Sequence, residues 1–147
     1  MTNFLVVGSN LLKSYDTYKE NVEAIIQNES DSEYGLIIGS LTGNDQFTET
    51  FGNENKLTVE RNEKKLNMFD KRAGYMATEL LIKKAGGLSI NCQKTDDSIK
   101  GVVVAFWDNM STIIKQFIEL GKQLGLDVYV IRTDMNYTIT HFAANKA

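Results

Sequence analysis

Small and hydroxyl-bearing residues follow three hydrophobic runs of this sequence, and their types suit the binding of an anionic group. Glycine in such a loop lets a ligand approach the backbone, and free N–H groups at the start of a following helix attract phosphate. The three loops supply the candidate ligand-binding residues Gly8, Ser9, Asn10, Gly39, Ser40, Gly43, Asn44, Asp45, Trp107, Asp108 and Ser111.

Strand and helix patterns alternate along the chain, and this alternation determines where the loops lie. Hydrophobic runs predict strands at residues 4–7, 36–38, 56–61, 102–107 and 128–131. Helical spacing of apolar residues predicts helices between them, at residues 15–28, 44–51, 69–85 and 110–124, the third ending before Gly86. We therefore predict an α/β fold: a single Rossmann-like three-layer domain over residues 1–132, with a mainly parallel sheet of about five strands. Residues 133–147 form a C-terminal tail without an assignment.

The third helical pattern predicts which of its side chains are buried. Its apolar residues recur at the spacing of one helix face, at Phe69, Ala73, Met76, Ala77 and Leu80. We expect all of them, Met76 included, to pack in the core. The segment that follows, residues 88–92, is compatible with either a strand or an extended loop.

In an open α/β sheet, ligands bind outside the carboxyl ends of the strands. We therefore expect the three loops to meet at one edge and to bind a small, anionic, nucleotide-like ligand. The alternative for each loop is structural, because Gly, Ser, Asn and Asp are also common turn and helix-cap residues. The sequence contains neither a G-x-G-x-x-G nor a Walker A motif, which disfavours a nicotinamide-dependent dehydrogenase or a P-loop NTPase, and we predict no cofactor.

The composition argues against several other classes of protein and site. The chain has 147 residues, and its net charge of −3 disfavours a general nucleic-acid binder. One Cys and one His cannot build a Cys/His zinc site, and we predict no metal site. Cys92 and His141 could form a catalytic pair, but a small, packed Cys92 is the better interpretation. With one cysteine, no signal-peptide pattern and no long apolar stretch, the protein is predicted to be cytoplasmic and to have no membrane partner.

The loops and two later segments together resemble a known superfamily. Residues 6–10 read V-V-G-S-N, and residues 37–45 read I-I-G-S-L-T-G-N-D. Residues 71–76 read K-R-A-G-Y-M, and residues 103–111 read V-V-A-F-W-D-N-M-S. In this order they resemble the SLOG superfamily, the Rossmann-like nucleotide-binding proteins named after the Smf and LOG proteins, and within it the small YspA-like branch. The resemblance implies a nucleotide-like ligand and a homo-oligomer.

Departures from the superfamily pattern bear on activity. Asn10 stands where the branch often has Arg, Ser40 replaces a Gly, and Ala73 replaces an Asn. Residues 113–114 are Ile-Ile where the last motif has Gly-Thr. The LOG enzymes carry a Glu that supports N-glycosidic cleavage of a nucleoside monophosphate, and in this register that position is Phe117. Because an apolar side chain cannot act as an acid or a base, the departures favour binding in this pocket over LOG-type hydrolysis.

Some of the candidate residues have both a functional and a structural interpretation. Asp45 could hydrogen-bond a ribose hydroxyl or act as a base, or it caps a helix. Arg72, in the third helical pattern, could pair bidentately with phosphate or be a solvated helix residue, and the resemblance favours phosphate. Trp107 could stack on a base, or pack in the core or an interface. Asp108 and Ser111 could cap the following helix or contact a ligand through its first turn.

The sequence thus predicts a protein that senses or sequesters a small nucleotide or a nucleotide-derived signal. One alternative is a nucleoside-monophosphate N-glycosidase or a related nucleotide hydrolase, with an unknown catalytic acid for which Asp45 and Asp108 are the best candidates. A second alternative is a homo-oligomeric interaction module, in which the sheet edge or the Met- and aromatic-bearing helices contact a partner.

Overall fold

The predicted strands lie in one six-stranded sheet, and helices cover both of its faces. The structure is a computed structural model, and it describes residues 1–8, 14–29, 33–39, 45–57, 59–62, 71–89 and 91–144. For residues 38, 39, 45, 60–62 and 71–74 it describes the backbone alone.

Each predicted strand and helix is present within a few residues of its predicted bounds. The strands are β1 (Thr2–Gly8), β2 (Tyr34–Gly39), β3 (Val59–Asn62), β4 (Lys100–Trp107), β5 (Asp127–Arg132) and β6 (Thr138–Phe142). The helices are α1 (Tyr15–Glu29), α2 (Asp45–Glu54), α3 (Lys71–Ala85) and α4 (Thr112–Gln123). The additional strand, β6, lies in the tail that the sequence left without an assignment. Among the described residues, no helix is long and apolar enough to cross a bilayer.

The strands follow the order β3-β2-β1-β4-β5-β6 across the sheet. The first five in the chain run parallel, and β6 runs antiparallel beside β5. The chain adds strands outward from β1 to β3 and then crosses back to place β4 on the other side of β1. This reversal is the topological switch point, where open α/β sheets leave a crevice at their carboxyl edge. The prediction of a Rossmann-like α/β fold with a mainly parallel sheet is confirmed.

The hydrophobic runs are continuous because both faces of the sheet are covered. In β4, Val102, Val104 and Phe106 face the layer of α1 and α2. Val103 and Ala105 face the layer of α3 and α4. All five are fully buried, so this central strand has no polar side and cannot be stable unless both helical layers are in place.

The buried face of α3 differs from the predicted one. Met76 is 54% exposed and Leu80 is 42% exposed, whereas Ala77 is buried as predicted. The residues of α3 that pack in the core layer are Leu81, Ile82 and Ala85. The helix carries two adjoining apolar stripes that share Ala77, and spacing alone does not indicate which of them faces the sheet. The other two predicted members, residues 69 and 73, lie outside the described side chains.

The described residues of the segment 88–92, which are 88, 89, 91 and 92, lie in a loop and not in a strand of the sheet. Leu88 forms an isolated antiparallel bridge with Lys94, and Cys92 between them has a positive φ of 62°. Cys92 is exposed, so the prediction of a packed cysteine is wrong.

Replacing Leu81 by Ala should destabilise the protein far more than replacing its neighbour Leu80. Leu81 is 1% exposed and Leu80 is 42% exposed, so truncation leaves a cavity only at Leu81. We expect Leu81→Ala to lower the free energy of unfolding by about 2–5 kcal/mol, and Leu80→Ala to lower it by less than about 1 kcal/mol. Urea unfolding followed by circular dichroism measures both losses. Equal losses would contradict the assigned face of α3.

Candidate functional site

The strands β1, β2 and β4 end nearly level with one another at the carboxyl edge of the sheet. In the sheet register, Gly8 at the end of β1 lies beside the penultimate residue of β4, and Trp107 follows directly. Gly39 at the end of β2 is offset from Gly8 by one position. The sheet therefore brings the starting points of the three predicted loops to one edge.

Five of the eleven candidate loop residues lie outside the described part of the chain. These are Ser9, Asn10, Ser40, Gly43 and Asn44. Asp45 is the first residue of α2 and Arg72 lies in the first turn of α3, and for both the backbone alone is described. The roles assigned to these seven residues stay predictions.

The backbone of Arg72 lies at the same end of the molecule as Gly8. At the other end of α3, the Ala85 carbonyl accepts a hydrogen bond of 3.3 Å from the side-chain amide of Asn3, near the start of β1. A helix rises about 1.5 Å per residue, so Arg72 lies about 20 Å from Ala85 along the helix axis. Along the same direction, Gly8 lies about 17 Å from Asn3 in β1, a distance similar to that between Ala85 and Arg72.

The turn after β4 is held by the carboxylate of Asp108. Its Oδ1 accepts backbone hydrogen bonds from Ser111 (2.8 Å) and Met110 (2.9 Å), and Asn109 has a φ of 66°. The N–H groups of Ser111 and Met110 hold the pKa of Asp108 below its usual value, because they stabilise the carboxylate. Ser111 is the N-cap of α4, and its hydroxyl accepts a bond of 3.5 Å from the Ile114 N–H. Both residues thus act as caps, and ligand contact stays a prediction for them.

The first turns of α3 and α4 carry no acidic residue. Both helices begin at the carboxyl edge, where their free N–H groups give the edge a partial positive charge. An anion would not meet a carboxylate from either first turn, but at the start of α4 it would lie near the Asp108 carboxylate, which accepts the N–H of the N-cap residue Ser111. The start of α3 is therefore the better place for a phosphate or a similar group.

Trp107 is half-buried against the core layer of α3 and α4. Its indole N–H donates a hydrogen bond of 3.1 Å to the carbonyl of Ser111, and the Arg132 guanidinium lies 5.4 Å from the ring centroid. The indole N–H is therefore used within the turn. The packing role of Trp107 is present in the structure, and stacking on a base stays a prediction.

A second group of ionisable side chains lies at the opposite, amino edge of the sheet. Glu29 at the end of α1 and Asp127 at the start of β5 contact the Lys100 ammonium, at 2.5 Å and 3.4 Å. The Tyr129 hydroxyl donates to Glu29 at 2.6 Å, and the His141 Nε2 lies 3.0 Å from Asp127. We call these five residues the amino-edge cluster. No sequence pattern indicated it, because its members come from four separate elements.

The amino-edge cluster contains ligand atoms that suit a metal ion, but the Lys100 ammonium already contacts its carboxylates. Ligand atoms of Glu29, Asp127 and His141 all lie within 4.8 Å of one another. Lys100 contacts both carboxylates, so a metal ion would have to displace its ammonium group. Burial raises the pKa of Asp127, but the Ala144 N–H, His141 and Lys100 outweigh it and hold the pKa below its usual value. The cluster therefore joins α1, β4 and β6 to β5.

Comparison of the chain with protein-family models, with curated proteins and with solved structures finds no match. Membership of the SLOG superfamily therefore stays a prediction. It rests on the motifs at residues 6–10, 37–45, 71–76 and 103–111.

Replacing Asp127 by Asn should destabilise the protein at neutral pH and less so at acidic pH. Because the folded carboxyl has a lowered pKa, its contribution is complete above the unfolded value of about 4. That contribution is lost as the pH falls through the lower folded value. Since Lys100 is half-exposed and its charge is screened, we expect a loss of about 1–2 kcal/mol at pH 7. Urea unfolding at pH 7 and pH 3 measures the difference.

The matched control is Asp97→Asn, which removes an exposed carboxyl from the loop before β4. It should leave the free energy of unfolding within about 0.5 kcal/mol of the unmodified chain at both pH values. A loss for Asp127→Asn that does not shrink at pH 3 would contradict a role for the Asp127 charge.

Proposed function

We propose that the protein binds, and thereby senses or sequesters, a small nucleotide or a nucleotide-derived signal at the carboxyl edge of its sheet. The observation that carries this proposal is the switch point between β1 and β4, beside which β1 and β2 each end in glycine. Ligands of open α/β sheets bind in the crevice outside such a switch point. Because glycine has no Cβ, Gly8 and Gly39 leave room for a phosphate or a ribose close to the backbone.

The anionic part of the ligand would be held by Arg72 and by the N-terminus of α3. An arginine at this edge can pair bidentately with a phosphate. The first turn of α3 favours an anion because it carries no carboxylate, whereas the Asp108 carboxylate already lies at the start of α4. Asp108 and Ser111 would act by fixing the start of α4, and Trp107 would form one wall. The remaining candidates would line the loops after β1 and β2: Ser9, Asn10, Ser40, Gly43, Asn44 and Asp45.

Two residues favour binding over hydrolysis of the ligand. Phe117, at the position where the resemblance puts the LOG catalytic Glu, is fully buried in the core layer of α3 and α4. Asp108 has a lowered pKa and is ionised at neutral pH, so it holds no proton to donate to a leaving base. A nucleotide hydrolase would therefore depend on Asp45 or on a residue outside the described part of the chain.

Self-association is compatible with nucleotide binding, and one observation favours it. Tyr75, Met76 and Leu80 on α3 are 43%, 54% and 42% exposed. Adjoining apolar side chains on a helix surface are typical of an interface. A homo-oligomer formed through these residues would bring its interface close to Arg72, one turn away on the same helix.

The unmodified protein, purified under native conditions and then denatured, should release a nucleotide that mass spectrometry identifies. A ligand at 100 times its Kd should add about 2.7 kcal/mol of stability, which a thermal-shift panel of nucleotides detects as a raised Tm. Arg72→Ala should abolish this shift, because the phosphate loses its bidentate partner. The absence of both a released nucleotide and any shift across the panel would rule the proposal out.

Lys19→Ala is the matched control for Arg72→Ala. Lys19 lies on α1 and pairs with Glu54, so the variant removes a cation outside the proposed site. It should keep the full thermal shift. Chromatography of nucleotides incubated with the protein separates the two candidate activities: unchanged nucleotides support binding, and release of a free base would replace this proposal with a hydrolase.

A further inference from the structure

A groove that shares Trp107 with the proposed nucleotide site runs between α4 and β6, on the face of the sheet that α3 and α4 cover. Ile118 and Val130 form its apolar floor, and its volume is about 150 Å³. The groove is open because β6 extends the sheet beyond α4. Among the described elements, no further helix covers that margin of the sheet.

The groove concentrates positive charge in a chain whose net charge is −3. Lys115, Lys122 and Arg132 line it, against one carboxylate, that of Glu119. Arg132 is largely neutralised by a bidentate ion pair with Asp134, with both N–O distances at 2.7 Å. Within the described part of the chain, neither lysine forms an ion pair. The two lysines of α4 therefore keep their charge available to a ligand.

An aromatic ring stands at each end of the groove. The Lys122 ammonium lies 3.6 Å from the centroid of the Phe142 ring, and the Arg132 guanidinium lies 5.4 Å from that of Trp107. Phe142 pairs with Val128, and Trp107 pairs with Arg132, so the rings are about 13 Å apart along β5. A ring attracts a cation without neutralising it, and its π face can also stack on a planar ligand.

We propose that this groove binds a phosphate monoester carried on a planar ring. Lys115 and Lys122 lie two turns apart on α4, about 10 Å along its axis, so their long side chains can approach one phosphoryl group from both sides. The ring of the ligand lies on the apolar floor against Phe142. The volume accommodates one ring and one phosphoryl group but not a helix or a strand of a partner protein.

The cations of this groove differ from those of the nucleotide site proposed above. They lie on α4 and β5, whereas the nucleotide site depends on Arg72 and on the loops after β1 and β2. Trp107 is common to both, and it is the only tryptophan of the chain. Its fluorescence responds to a ligand in either site, so the lysine variants of α4 are what assign a ligand to the groove.

Phenyl phosphate is the probe that combines the two required parts, and inorganic phosphate and phenol each supply one of them. Titrations followed by calorimetry and by Trp107 fluorescence give the three affinities. We expect phenyl phosphate to bind at least about tenfold more tightly than inorganic phosphate, because the ring adds stacking and burial. Phenol should bind most weakly, and added salt should weaken the binding of phenyl phosphate.

Lys122→Gln and Lys115→Gln should each weaken the binding of phenyl phosphate by about tenfold, and Lys122→Arg should retain it. Lys19→Gln, on the opposite face of the sheet, is the matched control and should leave the affinity unchanged. Arg72→Ala should also leave the affinity for phenyl phosphate unchanged, even if this variant abolishes nucleotide binding. The two proposals can therefore fail separately.

Equal affinities in Lys122→Gln, Lys115→Gln and Lys19→Gln would overturn the proposal. Equal binding of phenyl phosphate and inorganic phosphate would also overturn it, because the ring would then contribute nothing. Sedimentation gives a third result: a dimer that Lys122→Gln dissociates, in a protein that binds no phenyl phosphate, would assign the groove to a second copy of the chain.

Discussion

A parallel sheet has to be covered on both faces, and the pairing of β1 with β4 is where this constraint acts most strongly. The two strands pair along the whole length of β1, and their interior side chains are fully buried on both sides. Helices must therefore leave the sheet on both faces, and each crossover returns the chain to the amino edge. As a result, the carboxyl ends of five strands lie at one edge, and the switch point lies between the two most deeply buried strands.

The two edges of this sheet have different chemistry. At the carboxyl edge, β1 and β2 end in glycine, a turn held by the Asp108 carboxylate follows β4, and α3 and α4 begin. The backbone N–H groups of these helix starts add partial positive charge there. At the amino edge, the Lys100 ammonium forms ion pairs with the carboxylates of Glu29 and Asp127. Because β6 runs antiparallel, it begins near the carboxyl edge and ends at the amino edge, where His141 contacts Asp127. The last strand is therefore attached by a side-chain hydrogen bond as well as by its backbone ladder.

The sequence was sufficient to predict the parallel core, because buried strands and amphipathic helices leave different hydrophobic periods. The strand β6 was missed because its side chains are all exposed, so no hydrophobic run marks it. Met76 and Leu80 were assigned to the core because two apolar stripes of α3 adjoin, and only the packing against the sheet selects one. The amino-edge cluster and the groove beside Phe142 each join residues from distant elements. Their convergence depends on strand order and register, which no local spacing encodes.

Backbone amide chemical shifts measured during a nucleotide titration test the claim that a nucleotide-like ligand binds at the carboxyl edge. We expect the largest changes at Gly8, at Gly39 and in residues 108–111. The amides of Lys100 and Asp127, at the amino edge, should stay unchanged. Changes confined to the amino edge, or no change with any nucleotide, would contradict the claim.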